Sequence, residues 1–196
     1  MIFLAVCWKC FTRWCVECKE LDRSHDRLIG LLRKARLVPG VKKNFVRSGI
    51  RHDLANEAYV AEMVAHHVFD TLRIAPEHVN PEVLRLMNKH HGDINLFLHW
   101  FKKTRTEQKL SFYFMTAHPG SSMKEAKELA DAVGRLKNAE SFQVFTPTPM
   151  TVSTCMYYTE MDPATKKPVY VPKTYLEKKQ QKRLILGKFR HHEEDD

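Results

Sequence analysis

Four short clusters of the sequence carry residue types that bind ligands or transfer protons, and each follows an apolar, strand-like run. The clusters are Ser48-Gly49-Ile50-Arg51, Pro76-Glu77-His78, His118-Pro119-Gly120 and Thr146-Pro147-Thr148-Pro149. A carboxylate beside an imidazole can hold a ribose, take a proton or orient a substrate, and an arginine can grip a carboxylate with two parallel hydrogen bonds. Ligands of parallel α/β folds bind beyond the carboxyl ends of the strands. The sequence therefore predicts that the clusters line one common site.

Each cluster also has an ordinary structural interpretation. Ser48, Gly49 and Arg51 could form a turn with a surface arginine, and Glu77 and His78 could be a helix-start carboxylate and a loop histidine. The Thr146-Pro147-Thr148-Pro149 repeat is more typical of a segment that shapes the rim of a barrel than of a catalytic segment, because proline restricts the backbone of the residue before it.

Four of the five cysteines lie close together, at Cys7, Cys10, Cys15 and Cys18. This Cys-x2-Cys-x4-Cys-x2-Cys run has the spacing of metal ligands, and four thiolates can bind zinc or an iron–sulfur cluster. The loop between the two pairs is short for a zinc knuckle, so reduced thiols are the alternative. We expect the fifth cysteine, Cys155, to be a small buried hydrophobic residue.

Helical and strand-like segments alternate along the chain. Apolar spacing and capping residues predict helices over 24–36 and from Asn56, Asn80, Ile94 and Ser122, and strands over 42–47, 71–75, 110–116 and 142–145. Regular alternation of this kind favours parallel strands with right-handed crossovers. The predicted fold class is α/β, with about four parallel βα units. Four units are about half of an eight-unit barrel, which takes ~250 residues, so the alternative is an open sheet.

The sequence divides into three parts. They are a cysteine-rich segment over 1–21, a partial barrel over 22–150 and a C-terminal extension over 151–196. The extension contains an extended stretch bounded by prolines, a basic helix over 175–189 and an acidic tail. The net charge is +9, with much of the excess over 166–190. We interpret this excess as a solvated helix face, with nucleic-acid binding as the alternative.

Two features bear on the compartment. No run of 18 or more apolar residues occurs, and the apolar opening at 2–6 is too short for a signal-peptide core. The cysteines do not form the pattern of a secreted disulfide framework. We therefore expect a cytoplasmic protein with no membrane partner.

Many short motifs occur together in one order along the chain. They include His25-Asp26, Pro39-Gly40-Val41-Lys42-Lys43, Ser48-Gly49-Ile50-Arg51-His52-Asp53-Leu54, Ile74-Ala75-Pro76-Glu77-His78, His118-Pro119-Gly120, Phe145-Thr146-Pro147-Thr148-Pro149, Met156-Tyr157-Tyr158-Thr159, Asp162-Pro163 and Val169-Tyr170-Val171-Pro172. In these motifs, over about 10–186, the chain resembles the YgiQ-type radical S-adenosylmethionine proteins.

The resemblance implies a half TIM-type radical SAM barrel with a family-specific, irregular and helical C-terminal region. It also implies two cofactors, S-adenosylmethionine and a 4Fe-4S cluster held by a Cys-x3-Cys-x2-Cys loop, and a substrate that it does not identify. The residues that it implies for cofactor binding are Ser48, Gly49, Arg51, Glu77 and Gly120. Those that it implies for catalysis are Glu77, His78 and His118.

The chain departs from the family at several points. None of its cysteines form Cys-x3-Cys-x2-Cys, so it resembles the C-terminal half of such a protein. The alternatives are a fragment, a truncated reading frame, or one part of a split gene whose cluster-binding half is a separate partner chain. Glu160 stands where the family usually has glycine after Tyr-Tyr-Thr. The alternative function is a non-enzymatic, basic, cysteine-clasped module that binds nucleic acid or a partner protein through the helix within 166–190.

We predict that the isolated chain does not cleave S-adenosylmethionine, because it lacks the Cys-x3-Cys-x2-Cys loop. The measurement is 5′-deoxyadenosine release after anaerobic reconstitution with iron and sulfide, compared with a reconstitution that lacks protein. Product in stoichiometric amount or more would show that the prediction is wrong.

Overall fold

The computed structural model describes residues 21–89, 92–136 and 139–193. The described residues form a mixed α/β fold with a three-stranded parallel sheet in the order β1-β2-β3. The elements are α1 Asp26–Arg36, α2 Glu57–His66, β1 Thr71–Glu77, α3 Pro81–Leu86, α4 Ile94–Lys103, β2 Lys109–Thr116, α5 Met123–Val133, β3 Ala139–Val144, α6 Val152–Thr159 and α7 Tyr175–Glu193. The α/β class predicted from the sequence is confirmed.

Local capping residues begin three of the helices where the sequence predicts. The side chain of Asn56 accepts the Tyr59 N–H at the start of α2. Asn80 accepts two backbone N–H groups at the start of α3, where proline occupies the first helical position. Ser122 and Glu125 form a complete capping box at the start of α5. These side chains satisfy backbone donors that a helix leaves unpaired at its first turn.

The predicted strand over 42–47 is wrong, and the described sheet therefore has three strands instead of four. The backbone of this stretch is bound by the end of α2: the Val46 N–H donates to the His67 carbonyl, at 2.8 Å. The chain pairs with β1 only further on, at Ile50, as an isolated parallel bridge to Ile74. A backbone donor that is bonded elsewhere is not available to a sheet ladder.

The chain divides into two compact units, and the division falls within β1 and β2. One unit, which we call the histidine unit, contains 76–89 and 113–193 of the described residues; its fully buried side chains include Phe114, Leu129, Met156 and Ile185. The other, the arginine unit, contains 21–75 and 92–112; its fully buried side chains include Val60, Met63, Leu72, Ile74 and Phe97. Each unit thus has an apolar core of its own.

Helix α6 is an element that the sequence reasoning missed. Thr151 begins it by accepting the Thr154 N–H with its side chain. The helix exposes Cys155, so the expected burial of that thiol is wrong. Its only buried residue is Met156.

Within the described ranges, no helix combines the length and the apolar character that crossing a membrane requires.

Helix α6 ends at a residue in the left-handed conformation. Glu160 has φ 55° and ψ 29°, and its N–H donates to the Met156 carbonyl at 2.8 Å. This is the αL helix end that glycine usually provides, because a side chain there costs about 1 kcal/mol or more. The structure thus gives a physical reason why glycine suits the position at which the resemblance expects it.

We predict that Glu160→Gly raises the free energy of unfolding by about 0.5–1 kcal/mol, because it relieves the left-handed strain. The ion pair of Glu160 with Lys173 is exposed on both sides and contributes little. Urea denaturation measures the change, with Glu160→Ala as the control that removes the carboxylate and keeps the strain. A glycine variant no more stable than the alanine variant would contradict the prediction.

Candidate functional site

Strand β1 ends in a strained turn that places Glu77 and His78 side by side. Glu77 has φ 68°, a conformation that residues with a side chain rarely adopt. The His78 N–H then donates to the Pro76 carbonyl at 2.9 Å, and Asn80 begins α3 two residues later. Strain of this kind is retained where the surrounding structure holds it, and it is concentrated at functional sites. The strained conformation of Glu77 therefore makes the carboxyl end of β1 a candidate functional site.

The carboxylate of Glu77 is only half satisfied. Its Oε1 accepts from the Lys89 Nζ at 3.1 Å, and both side chains are mostly buried. Its Oε2 is buried, and no described residue forms a hydrogen bond with it. A buried carboxylate oxygen costs free energy unless a donor reaches it. Glu77 therefore presents an acceptor to which a ligand hydroxyl or amine can donate.

His78 is a buried, neutral imidazole with one unused nitrogen. Its Nδ1 accepts the Asn80 N–H at 3.0 Å, so in the neutral ring the proton is on Nε2. This Nε2 is buried and has no hydrogen-bond partner in the part of the chain that the structure describes. Burial, helped by the neighbouring imidazole of His118, lowers the pKa of His78 to about 4, against an opposing effect of Glu125. His78 is thus a hydrogen-bond donor aligned by the backbone of its own turn.

His118, at the end of β2, is the opposite tautomer and has both nitrogens occupied. Its Nδ1–H donates to the Pro119 carbonyl at 2.7 Å, and its Nε2 accepts from the Ser153 hydroxyl at 2.8 Å. The ring packs edge-on against Phe145, with centroids 5.0 Å apart. Burial lowers the pKa of His118 to about 4, and the hydrogen bond to Pro119 opposes it. Proton transfer at Nε2 would require Ser153 to release the ring.

Gly120 follows in a turn that admits no side chain. Its φ is 91°, and a Cβ there would lie 2.3 Å from Cδ1 of Leu86. Its N–H donates to the Tyr170 carbonyl at 2.7 Å. Gly120 lines a cleft of about 440 Å³ together with Arg85 and the 162–170 segment. The cleft therefore has the chain's C-terminal part as one wall.

Gln181 is a residue that the sequence reasoning missed. It is fully buried on α7, and its Oε1 accepts from the Thr116 hydroxyl at 3.1 Å and the Ala117 N–H at 3.0 Å. Its amide donates to the Ser121 carbonyl at 2.7 Å. Gln181 thus braces the turn that contains His118 from both ends. Two adjacent glutamines, Gln180 and Gln181, lie among the charged residues of this basic helix, and nothing local in the sequence distinguishes the role of Gln181.

The remaining predicted site residues lie in the arginine unit; they are Ser48, Gly49 and Arg51. Ser48 and Gly49 are exposed, and a Cβ on Gly49 would lie 3.4 Å from the Cβ of Ala75. Both Nε and a terminal nitrogen of Arg51 bond the carboxylate of Asp53. The arginine fork that could grip a ligand carboxylate is thus already held by a neighbour two residues away.

The part of the chain that the structure describes contains no group of three or more His, Cys, Asp or Glu side chains that could hold a metal ion. The predicted metal ligands Cys7, Cys10, Cys15 and Cys18 lie outside the described residues.

The structure thus defines an α/β protein with buried, incompletely satisfied polar groups at a strand end, and its sequence has named relatives. It is 43% identical over 176 residues, 86% of this chain, to a protein named UPF0313 protein from Methanosarcina acetivorans. It is 40% identical over 189 residues, 90% of this chain, to a UPF0313 protein from Clostridium botulinum strain Loch Maree. The matches span 24% and 29% of the length of these relatives.

A family model described as "Domain of unknown function (DUF3362)" matches residues 140–196. UPF0313 denotes the YgiQ-type family, so the resemblance read from the motifs is confirmed at that level. The relatives' names state no activity.

We predict that the free energy of unfolding decreases as the pH is lowered, because His78 and His118 stay neutral in the folded chain. Both rings have a pKa of about 4 in the folded chain and 6.5 as the reference value for the unfolded chain. Their contribution is full above pH 6.5 and is lost as the pH falls toward 4, since the unfolded chain binds the protons. The loss is up to about 1.4 kcal/mol per pH unit for each ring.

Urea denaturation at about pH 7 and about pH 5 measures this loss. His78→Gln should reduce the pH dependence, and His66→Gln, at an exposed position, is the matched control. If His78→Gln has the same pH dependence as the unsubstituted chain, the explanation fails.

Proposed function

We propose that this chain supplies the C-terminal part of a radical SAM domain and that Glu77 and His78 bind the adenosyl part of S-adenosylmethionine. One observation carries the proposal: two consecutive residues at the end of β1 each have a buried polar atom that no described residue bonds, Glu77 Oε2 and His78 Nε2. One is an acceptor and the other a donor.

Adenosine suits this pair of atoms chemically. A ribose hydroxyl donates one hydrogen bond and accepts others, so ribose can satisfy both a carboxylate oxygen and an imidazole N–H. The lowered pKa keeps His78 uncharged at neutral pH, so it does not repel the positive sulfonium centre. The charge of Glu77 is already balanced by Lys89, which holds the carboxylate in place. Family resemblance supports the same assignment.

When bound, S-adenosylmethionine and a 4Fe-4S cluster would supply hydrogen-abstracting radical chemistry. The described residues offer no group of three or more His, Cys, Asp or Glu side chains for the cluster, so we propose that a Cys-x3-Cys-x2-Cys loop outside them holds it, either on a partner chain or elsewhere in a longer protein. We also propose that the four N-terminal cysteines bind zinc or iron. The half TIM-type barrel and the cytoplasmic location likewise stay proposals, and the class of the substrate is not part of the proposal.

The other predicted site residues have narrower proposed roles. His118 would fix the surroundings of His78, because its own nitrogens are bonded to Pro119 and Ser153. Gly120 would keep the turn free of a side chain. Three residues of the arginine unit stay proposed for cofactor binding: Ser48, Gly49 and Arg51. Because Arg51 is already paired with Asp53, the proposal that Glu77 and His78 bind the adenosyl part does not depend on these three residues.

Binding of S-adenosylmethionine to the full chain, measured by isothermal titration calorimetry, tests the proposal without requiring turnover. We predict that Glu77→Gln weakens binding at least about tenfold, because a hydrogen bond to a charged group is lost. Glu160→Gln is the matched control, since it removes an exposed carboxylate in the same unit. The proposal fails if the unsubstituted chain does not bind or if Glu77→Gln binds equally well.

The alternative function, nucleic-acid binding through the basic helix, has weaker support. Lys178 donates to the Tyr157 hydroxyl at 3.0 Å and Lys173 pairs with Glu160, so part of the positive charge is already engaged. Lys182 and Arg183 on α7 are exposed. An exposed basic helix face alone is typical of a solvated surface.

A further inference from the structure

We propose that the arginine unit binds single-stranded nucleic acid on a surface formed by two exposed phenylalanine rings and the free cations around them. We call this the phenylalanine surface and define it by Lys42, Lys43, Phe45, Arg47, Phe69 and Arg73. It is distinct from the residues proposed for S-adenosylmethionine, and it does not depend on that proposal.

The two rings are exposed to an unusual degree for phenylalanine. Phe69 is 77% exposed and Phe45 is 38% exposed, and their centroids are 5.6 Å apart in an edge-to-face arrangement. Exposed aromatic rings that lie together, rather than singly, mark a binding surface. Phe69 thus offers an open ring on which a nucleobase can stack.

The backbone that carries both rings is held by one buried residue. The His67 ring donates to the Asn44 carbonyl at 2.9 Å, and the His67 carbonyl accepts the Val46 N–H at 2.8 Å. These bonds fix the residues on either side of Phe45, while Phe69 lies two residues after His67. His67 is itself completely buried, so both rings are presented from an ordered backbone. Such preorganisation lowers the entropic cost of binding.

Two cationic clefts adjoin the rings, and both clefts include Phe45 and Phe69. One, of about 610 Å³, is lined by Arg47 and Arg73. The other, of about 440 Å³, is lined by Lys42 and Lys43. This arrangement lets a chain of phosphates occupy both clefts while a base between them stacks on the ring.

The cations of the phenylalanine surface are available to a ligand. Within the described residues, no carboxylate pairs with Lys42, Lys43, Arg47 or Arg73, whereas Arg36, in the same cleft as the lysines, is paired with Glu62. Lys43 instead lies over the Phe45 ring, with Nζ 5.8 Å from the centroid. Among the described residues that line the two clefts, Asp70 is the one carboxylate.

The combination of rings and charges favours single-stranded nucleic acid over the other candidates. A duplex has its base faces stacked internally and would leave Phe69 without a partner. An acidic peptide would use the cations but not the open ring. A second copy of this chain would bring its own cations against these, since the net charge is +9.

Fluorescence anisotropy with labelled oligouridylate, oligothymidylate and a duplex, each of about 12 nucleotides, tests the proposal on the full chain. We expect both single strands to bind more tightly than the duplex; the ratio between them shows whether RNA or DNA is preferred. Phe69→Ala should weaken single-strand binding about tenfold and Phe69→Trp should not, because tryptophan preserves the stacking face. Far-UV circular dichroism and a urea midpoint confirm that the variants fold.

A second substitution pair tests the cations. Arg47→Gln with Arg73→Gln should reduce the dependence of log affinity on log salt by about 1.4, since each single-strand phosphate contact contributes about 0.7. Lys182→Gln with Arg183→Gln on α7 is the matched control and should leave that slope unchanged. The proposal is overturned if single strands do not bind, if the α7 pair alone carries the loss, or if Phe69→Ala abolishes a dimer instead of nucleic-acid binding.

Discussion

The histidine unit depends on the hydrogen bonds that satisfy the polar groups at the end of β2. The Thr116 carbonyl accepts the Phe145 N–H that follows β3, while its hydroxyl and the next backbone N–H bond to Gln181 of α7. One buried amide thus joins the sheet to the C-terminal helix. A buried side chain of this kind stabilises only if all its partners are present, because an unpaired amide in the core is costly. The turn with His118 and Gly120 begins directly after this junction and is placed by it.

The end of β1 differs from the end of β2, because some of its buried polar groups have no hydrogen-bond partner among the described residues. His118 has two partners, whereas His78, which also has a lowered pKa, has one and keeps its Nε2–H buried and unpaired. Glu77 adds a strained backbone and an unpaired oxygen. Stability alone would not favour this arrangement, since strain and unsatisfied polar atoms both cost free energy. A ligand that supplies a donor and an acceptor would remove the second cost.

The arginine unit has a comparable central residue in His67. Its ring and carbonyl take up the backbone of 44–46, and the same bonds keep this stretch from forming a strand. Two features accompany these bonds of one buried residue: the sheet has three described strands, and Phe45 lies at the surface near Phe69. Segments 42–47 and 69–73 are far apart in the sequence, and this backbone pairing brings their rings and cations onto one surface.

The sequence by itself determined the features that depend on neighbours a few residues away. Asn56, Asn80 and Ser122 begin helices where expected because a cap bonds to N–H groups within three residues, and β2 alternates as an amphipathic strand does. Tertiary structure decided the rest: the failure of 42–47 to pair, the exposure of Cys155, the bracing role of Gln181 and the bond between His118 and Ser153. These depend on partners far apart in the chain, which residue type and spacing do not encode.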